Sequence, residues 1–116
     1  MKTILALAFG VFGFSAIAKS QTISQDTTRV ILENSKLKVT EYVSTAGKDV
    51  CGKGKHYHGA HLSILLTDAK VQVINADGKA QLFELPAGTT FWSEPETHVA
   101  INNGTKTVRA YIVELK

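Results

Sequence analysis

A single cysteine, Cys51, serves all 116 residues, so no intramolecular disulfide can staple the fold. No Cys-x-x-Cys pair offers a zinc ribbon or a thioredoxin-like redox centre either. No Gly-rich phosphate loop opens a helix, which argues against nucleotide binding by that route. A serine nucleophile of the Gly-x-Ser-x-Gly type is missing as well. The chain has no internal repeat, linker or low-complexity tract, and past residue 20 no stretch keeps a helical period. What is there is the composition of an ordinary folded protein, 44% hydrophobic and 20% charged, at a length that suits one domain.

The first twenty residues differ from the rest. Lys2 gives a positive start, residues 4–18 form an apolar run, and Ala16-Ile17-Ala18 and Ala18-Lys19-Ser20 place small residues where a signal peptidase reads. The run is too short to span a bilayer comfortably as a helix. The reading is therefore a signal peptide over residues 1–20 and a mature domain over 21–116, with cleavage after Ser20 or, alternatively, after Ala18. An exported protein, periplasmic or secreted, is expected, without a membrane anchor. Export also changes the charge. The whole chain carries 13 basic and 10 acidic residues; the leader holds Lys2, Lys19 and no acid, which leaves 11 against 10, a balance of +1. Near-neutrality gives no signal for nucleic-acid binding.

The mature chain reads as a series of short strands. β-branched and partly alternating stretches at 28–34, 36–44, 62–67, 70–74, 81–85, 89–93, 98–102 and 107–115 predict eight strands. Asn34-Ser35 and Asp77-Gly78 are hairpin signals, Pro86-Ala87-Gly88 marks a corner, and Asn103-Gly104 is read as a further hairpin turn. The glycine-rich stretch 45–59 reads as a loop. Eight short strands in so short a chain predict an all-β fold, a small antiparallel barrel or jelly roll. Phe91 and Trp92 are expected to pack it, and Tyr57 to face outward.

Four histidines carry the chemistry: His56, His58 and His61 in one cluster, and His98 some forty residues on. In an extended strand residues i and i+2 share a face, so His56 and His58 project together, spaced to share an ion at about 2.0–2.2 Å per nitrogen. His98, near the start of a later strand, is placed to reach them across the barrel. Imidazole suits zinc, iron, nickel or copper. Each residue also has a plainer reading: polar strand-end residues for His56 and His58, a hydrogen bond at the barrel mouth for His98, a loop residue for His61. Cys51 reads as a free loop thiol or, alternatively, a metal-facing thiolate.

Gly54-Lys55-His56-Tyr57-His58, the turn at Asp77-Gly78, Pro86-Ala87-Gly88 and His98-Val99-Ala100-Ile101-Asn102 together resemble the two motifs of the small single-domain cupins. The likeness spans most of residues 28–115. It implies a cupin-like double-stranded β-helix in which His56, His58 and His98 bind a divalent transition metal. One departure stands out. The motif's glutamate position falls at Leu62 or Ser63, and neither is a carboxylate. His61 is a candidate substitute if Gly59-Ala60 turns the chain; Glu94 and Glu96 are weaker ones.

Two functional classes follow. The resemblance implies a metal-dependent enzyme on a small organic molecule, of dioxygenase or isomerase type; the alternative is a non-catalytic barrel that captures a small ligand or a metal. A homodimer is compatible with the sheet edges that small barrels leave open.

Overall fold

The computed structural model describes residues 26–116, so the signal-peptide reading lies outside the described residues. Nine strands and no helix are formed among them: β1 (Thr27–Glu33), β2 (Leu37–Ser44), β3 (His56–His58), β4 (His61–Leu65), β5 (Ala69–Asn75), β6 (Ala80–Leu85), β7 (Thr90–Ser93), β8 (Glu96–Asn102) and β9 (Val108–Leu115). They build two antiparallel sheets with strand orders β1-β2-β9-β4-β7 and β3-β8-β5-β6. From β2 onward the chain passes repeatedly from one sheet to the other, the winding of a jelly roll.

That winding corrects one turn assignment. Asn34-Ser35 closes a true hairpin, with Asn34 Oδ1 accepting from the amides of Lys36 and Leu37. Asp77-Gly78 closes another, with Gly78 at φ +86°. Asn103-Gly104 does not, because β8 and β9 belong to different sheets. Here the turn is a crossover, held by Asn103 N donating to Lys70 O and Gly104 N donating to Asn102 Oδ1. Turn chemistry reverses the chain locally; it does not choose the strand that is paired next.

The inward faces meet in a modest core of Val50, Cys51, Leu65, Ala69, Val71, Ala100, Val108, Ala110 and Ile112. Its buried alanines leave room between the sheets, and Ala100 and Ala110 both line an interior cavity of about 420 Å³. The two aromatics expected to pack the barrel are exposed instead: Phe91 stands in the cavity wall, and the Trp92 indole N–H donates to Glu94. Tyr57 faces outward as expected. On the outer face of the larger sheet, Glu41 is buried beneath two guanidinium groups, Arg29 from β1 and Arg109 from β9. This ion triad clamps the three neighbouring strands β1, β2 and β9.

Candidate metal centre

The stretch from Gly47 to His58 is not a simple loop. Gly47 N and Val50 N donate to Asn102 O and Ala100 O of β8, and Asn102 N donates back to Lys48 O. A few residues later β3 pairs with the other half of β8, His56 opposite His98 and His58 opposite Glu96. Between these two pairings the chain advances from Val50 to His56 while β8 advances only from Ala100 to His98. The surplus residues form an excursion, and Cys51 lies buried within it. Asp49 Oδ2 accepts from Gly54 N and holds the excursion closed.

Pairing then decides where the imidazoles point. His56 and His58, two apart on β3, take the inward face. His98 shares that face because it is the direct cross-strand neighbour of His56. It reaches them from the adjacent strand of the same sheet rather than across the barrel, since β3 hydrogen-bonds to β8. The ring centroids of His56 and His98 are 4.7 Å apart, those of His56 and His58 4.7 Å, and those of His58 and His98 5.6 Å. Cys51 joins them, with Sγ 3.5 Å from His56 Nε2 and 3.5 Å from His98 Nε2. One donor atom from each of Cys51, His56, His58 and His98 falls within 4.8 Å of all the others.

His61 is close but apart. It is buried at the start of β4 in the opposite sheet, brought inward by the Gly59-Ala60 turn, with its ring 4.8 Å from that of His58. Its Nδ1–H donates to Gly59 O at 2.7 Å. Of the two acidic substitutes, Glu94 is occupied by Trp92 at the surface, while Glu96 Oε2 approaches His98 Nδ1 to 3.5 Å. Ser63, at the motif's longer glutamate spacing, is buried in the cavity wall.

The outer nitrogens of two of the three clustered rings explain their orientation. His56 Nδ1 donates to Gly54 O at 2.8 Å, which leaves its Nε2 with a free lone pair toward the cluster. His58 Nδ1 faces Glu114 Oε2 at 3.2 Å, a carboxylate reaching in from the end of β9. His98 Nδ1 has only the 3.5 Å approach of Glu96, too poorly aligned for a hydrogen bond, and is a buried nitrogen without a partner. A carbonyl or carboxylate behind the outer nitrogen is the arrangement that orients metal-binding histidines. His58 Nε2 contacts Cys51 O at 2.9 Å. Ligation through it would give up that bond while keeping the one to Glu114.

Burial governs the electrostatics. It lowers the pKa of His98 below the ordinary histidine value, against the opposing pull of Glu96, and so favours the neutral ring that a metal requires. Burial also pushes the Cys51 thiol up to about 12. The donor set, three imidazoles and one thiol, fits zinc, copper or iron. Cys51 and His98 also line the 420 Å³ cavity, so the cluster stands at its wall.

Sequence reasoning missed Gly52 altogether. With φ at +150°, it passes so close to His56 that an added Cβ would lie 2.9 Å from two atoms of the ring. Its place between Cys51 and Lys53, ahead of a second positive-φ glycine at Gly54, is the only trace of this role in the sequence.

No protein-family profile matches the chain, and no curated protein is significantly similar to it. Solved structures are. The chain is similar to a cupin domain from Bordetella pertussis Tohama I, at 22% identity over 78% of this chain and 93% of that one, with a TM-score of 0.70. It is also similar to an RmlC-like cupin with a double-stranded β-helix fold from Methanocaldococcus jannaschii, at 11% identity over 79% and 81%, TM-score 0.65. A third likeness is to the polyketide cyclase RemF from Streptomyces resistomycificus, at 17% identity over 78% and 64%, TM-score 0.60. Likeness at such identities establishes the fold, the cupin double-stranded β-helix.

Proposed function

We propose that this chain is an exported metal-binding cupin that holds a divalent transition metal through His56, His58 and His98 beside an interior small-molecule cavity. The observation that carries the reading is the convergence of three inward imidazoles, two of them with the outer nitrogen backed by a carbonyl or carboxylate oxygen. A bound ion would supply Lewis acidity, and with iron or copper access to redox chemistry.

The chain's own residues supply the rest. Glu114 and Gly54 O orient His58 and His56. The cavity wall offers a ligand an apolar surface, from Phe83, Phe91 and Ile112 among others, with polar points at Ser63, Gln81 and Ser93. At about 420 Å³ it falls in the range of small-ligand sites. Its one carboxylate, Glu96, is turned toward His98, and His61, which also lines the wall, has its Nδ1 tied to Gly59 O. A lining with no free carboxylate favours capture of a ligand or metal over turnover, and it sets cyclase activity, with His61 as its candidate base, as the less supported alternative.

Metal content of the purified full chain after reconstitution, measured by mass spectrometry, tests the first part. One ion per chain in the wild type and loss of it in His98→Ala are expected. Substoichiometric content for every transition metal would end the reading. Oxygen uptake and product formation by the iron-loaded protein, over a panel of phenolic, thiol and keto-acid compounds, test the second. Thermal shift without turnover is expected; turnover lost in His98→Ala would make the protein an enzyme.

A further inference from the structure

Among the described residues, the other features of the molecule yield less. The groove beside Asp68, Glu84 and Lys106 is open, and its Lys70 and Glu84 pair with each other at the surface. The exposed apolar residues of β1 have nothing to identify what would cover them. The buried thiol at the histidine cluster goes further.

We propose that Cys51 is the fourth ligand of the ion held by His56, His58 and His98, so that the site is a closed centre of one thiolate and three imidazoles selecting thiophilic metals. The inference rests on the metal-binding reading above and adds the ligand that sets its selectivity. The geometry is that of a tetrahedron's edge. With metal–sulfur near 2.3 Å and metal–nitrogen near 2.0–2.1 Å, two tetrahedral ligands S and N stand roughly 3.5 Å apart. Cys51 Sγ keeps that distance from two Nε2 atoms at once, 3.5 Å to His56 and 3.5 Å to His98.

Three features hold the sulfur there. Val50 N is tied to Ala100 O immediately before it, the carbonyl of Cys51 meets His58 Nε2, and Gly52 immediately after packs on the His56 ring. A thiol with no task in an apolar core would not need its neighbouring backbone fixed against two imidazoles. Charge points the same way. Three neutral imidazoles bring no negative charge to a dication; the carboxylates of Glu96 and Glu114 stand at histidine Nδ1 atoms, and Asp49 accepts from Gly54 N. A Cys51 thiolate is the one anionic donor the cluster can offer. On binding, the S–H proton passes to solvent as the sulfur–metal bond forms; no oxidant or reductant is required. Thiolate with imidazole favours zinc, cobalt or copper over manganese or magnesium, and four protein ligands leave no open position of the kind catalytic zinc sites keep.

Titration of the full chain with cobalt(II) tests this directly. A near-ultraviolet sulfur-to-cobalt charge-transfer band and intense tetrahedral visible bands are expected. In Cys51→Ser the charge-transfer band should vanish, while cobalt still binds through the histidines. Its affinity should fall by more than the roughly 10–100-fold typical of losing an outer partner. X-ray absorption at the zinc edge of the wild type needs no variant and should show one sulfur neighbour. Cobalt or zinc bound without a sulfur signal would overturn the proposal and leave the three-histidine reading intact. No metal bound at all would overturn both.

Discussion

His56 and His98 are direct cross-strand partners in the pairing of β3 with β8, with ring centroids 4.7 Å apart and planes 82° from parallel. A three-residue strand is too short to be secure by its own ladder. Its placement depends on the preceding excursion, in which Asp49 braces Gly54 and Gly52 fits against the His56 ring. The histidine cluster is thus built by backbone conformation as much as by its side chains.

Gly52→Ala tests that dependence. The new methyl would meet ring atoms at 2.9 Å on a backbone at φ +150°, so the ring must move or the loop must shift, at a cost of about 1–3 kcal/mol. Metal affinity should fall because His56 Nε2 leaves its position beside Cys51 Sγ. Gly47→Ala is the control: its φ of +82° also disfavours a side chain, but its Cβ would meet nothing within 4 Å. Calorimetric metal titration should show weaker binding for the first variant only. Equal losses in both would mean that strain, and not contact with His56, is responsible.

Much of this was legible in the sequence, for reasons that can be assigned. Alternation and β-branching located eight of the nine strands, all but the three-residue β3, which lies in the stretch read as a loop. His56 and His58 share a face because side chains alternate along a strand, and the i, i+2 argument needs nothing beyond a local strand. What could not be read was pairing. Asn103-Gly104 has hairpin chemistry yet links different sheets, and the 45–59 stretch has loop composition yet runs along β8 on either side of a bulge. Cys51 enters the site only through that bulge, so its position depends on contacts with Ala100 and His98 far along the chain. His61, next to two promising histidines in sequence, turns into the opposite sheet at Gly59-Ala60.

Asn102 is the best-connected side chain of the crossover. It is fully buried, donates to Ser44 O and Lys106 O, and accepts from Gly104 N. Asn102→Ala leaves two carbonyls and an amide without that partner in a closed space, at roughly 1–3 kcal/mol for each group stranded. A loss of about 3 kcal/mol or more in urea unfolding is expected. Asn102→Asp should do no better, since a carboxylate cannot donate to the two carbonyls. A loss below about 1 kcal/mol in the alanine variant would show that solvent replaces these bonds.

Glu41 predicts an acid response. Its hydrogen bonds to Arg29 first and Arg109 second hold its pKa below the ordinary glutamate value of 4.5. A depressed carboxylate stabilises the fold above the unfolded value, and that contribution is lost as pH falls below 4.5 through the folded pKa. Glu41→Gln should therefore be less stable than wild type at neutral pH, with the gap narrowing as the pH drops beneath 4.5. Denaturant midpoints of the two proteins across that range give the test. A gap that persists unchanged at about pH 3 would assign the triad's effect to packing instead of charge.

Cys51 makes the opposite prediction, at alkaline pH and in the presence of a chelator. With its thiol raised to about 12 by burial, the folded chain retains a proton that the unfolded chain sheds near the ordinary value of 9.0. Stability must then fall as pH rises from about 9 toward 12, by up to about 1.4 kcal/mol per pH unit from this group. Cys51→Ala removes this pH dependence, so the wild type's stability should fall relative to the variant's as pH climbs through that window. Thiol labelling reads the same property without a variant. At about pH 8 the native chain should react with a disulfide reagent orders of magnitude more slowly than the chain in denaturant, because it offers neither thiolate nor access. Rapid labelling of the native metal-free protein would mean that the excursion carrying Cys51 opens readily, and that the cluster forms around the ion rather than ahead of it.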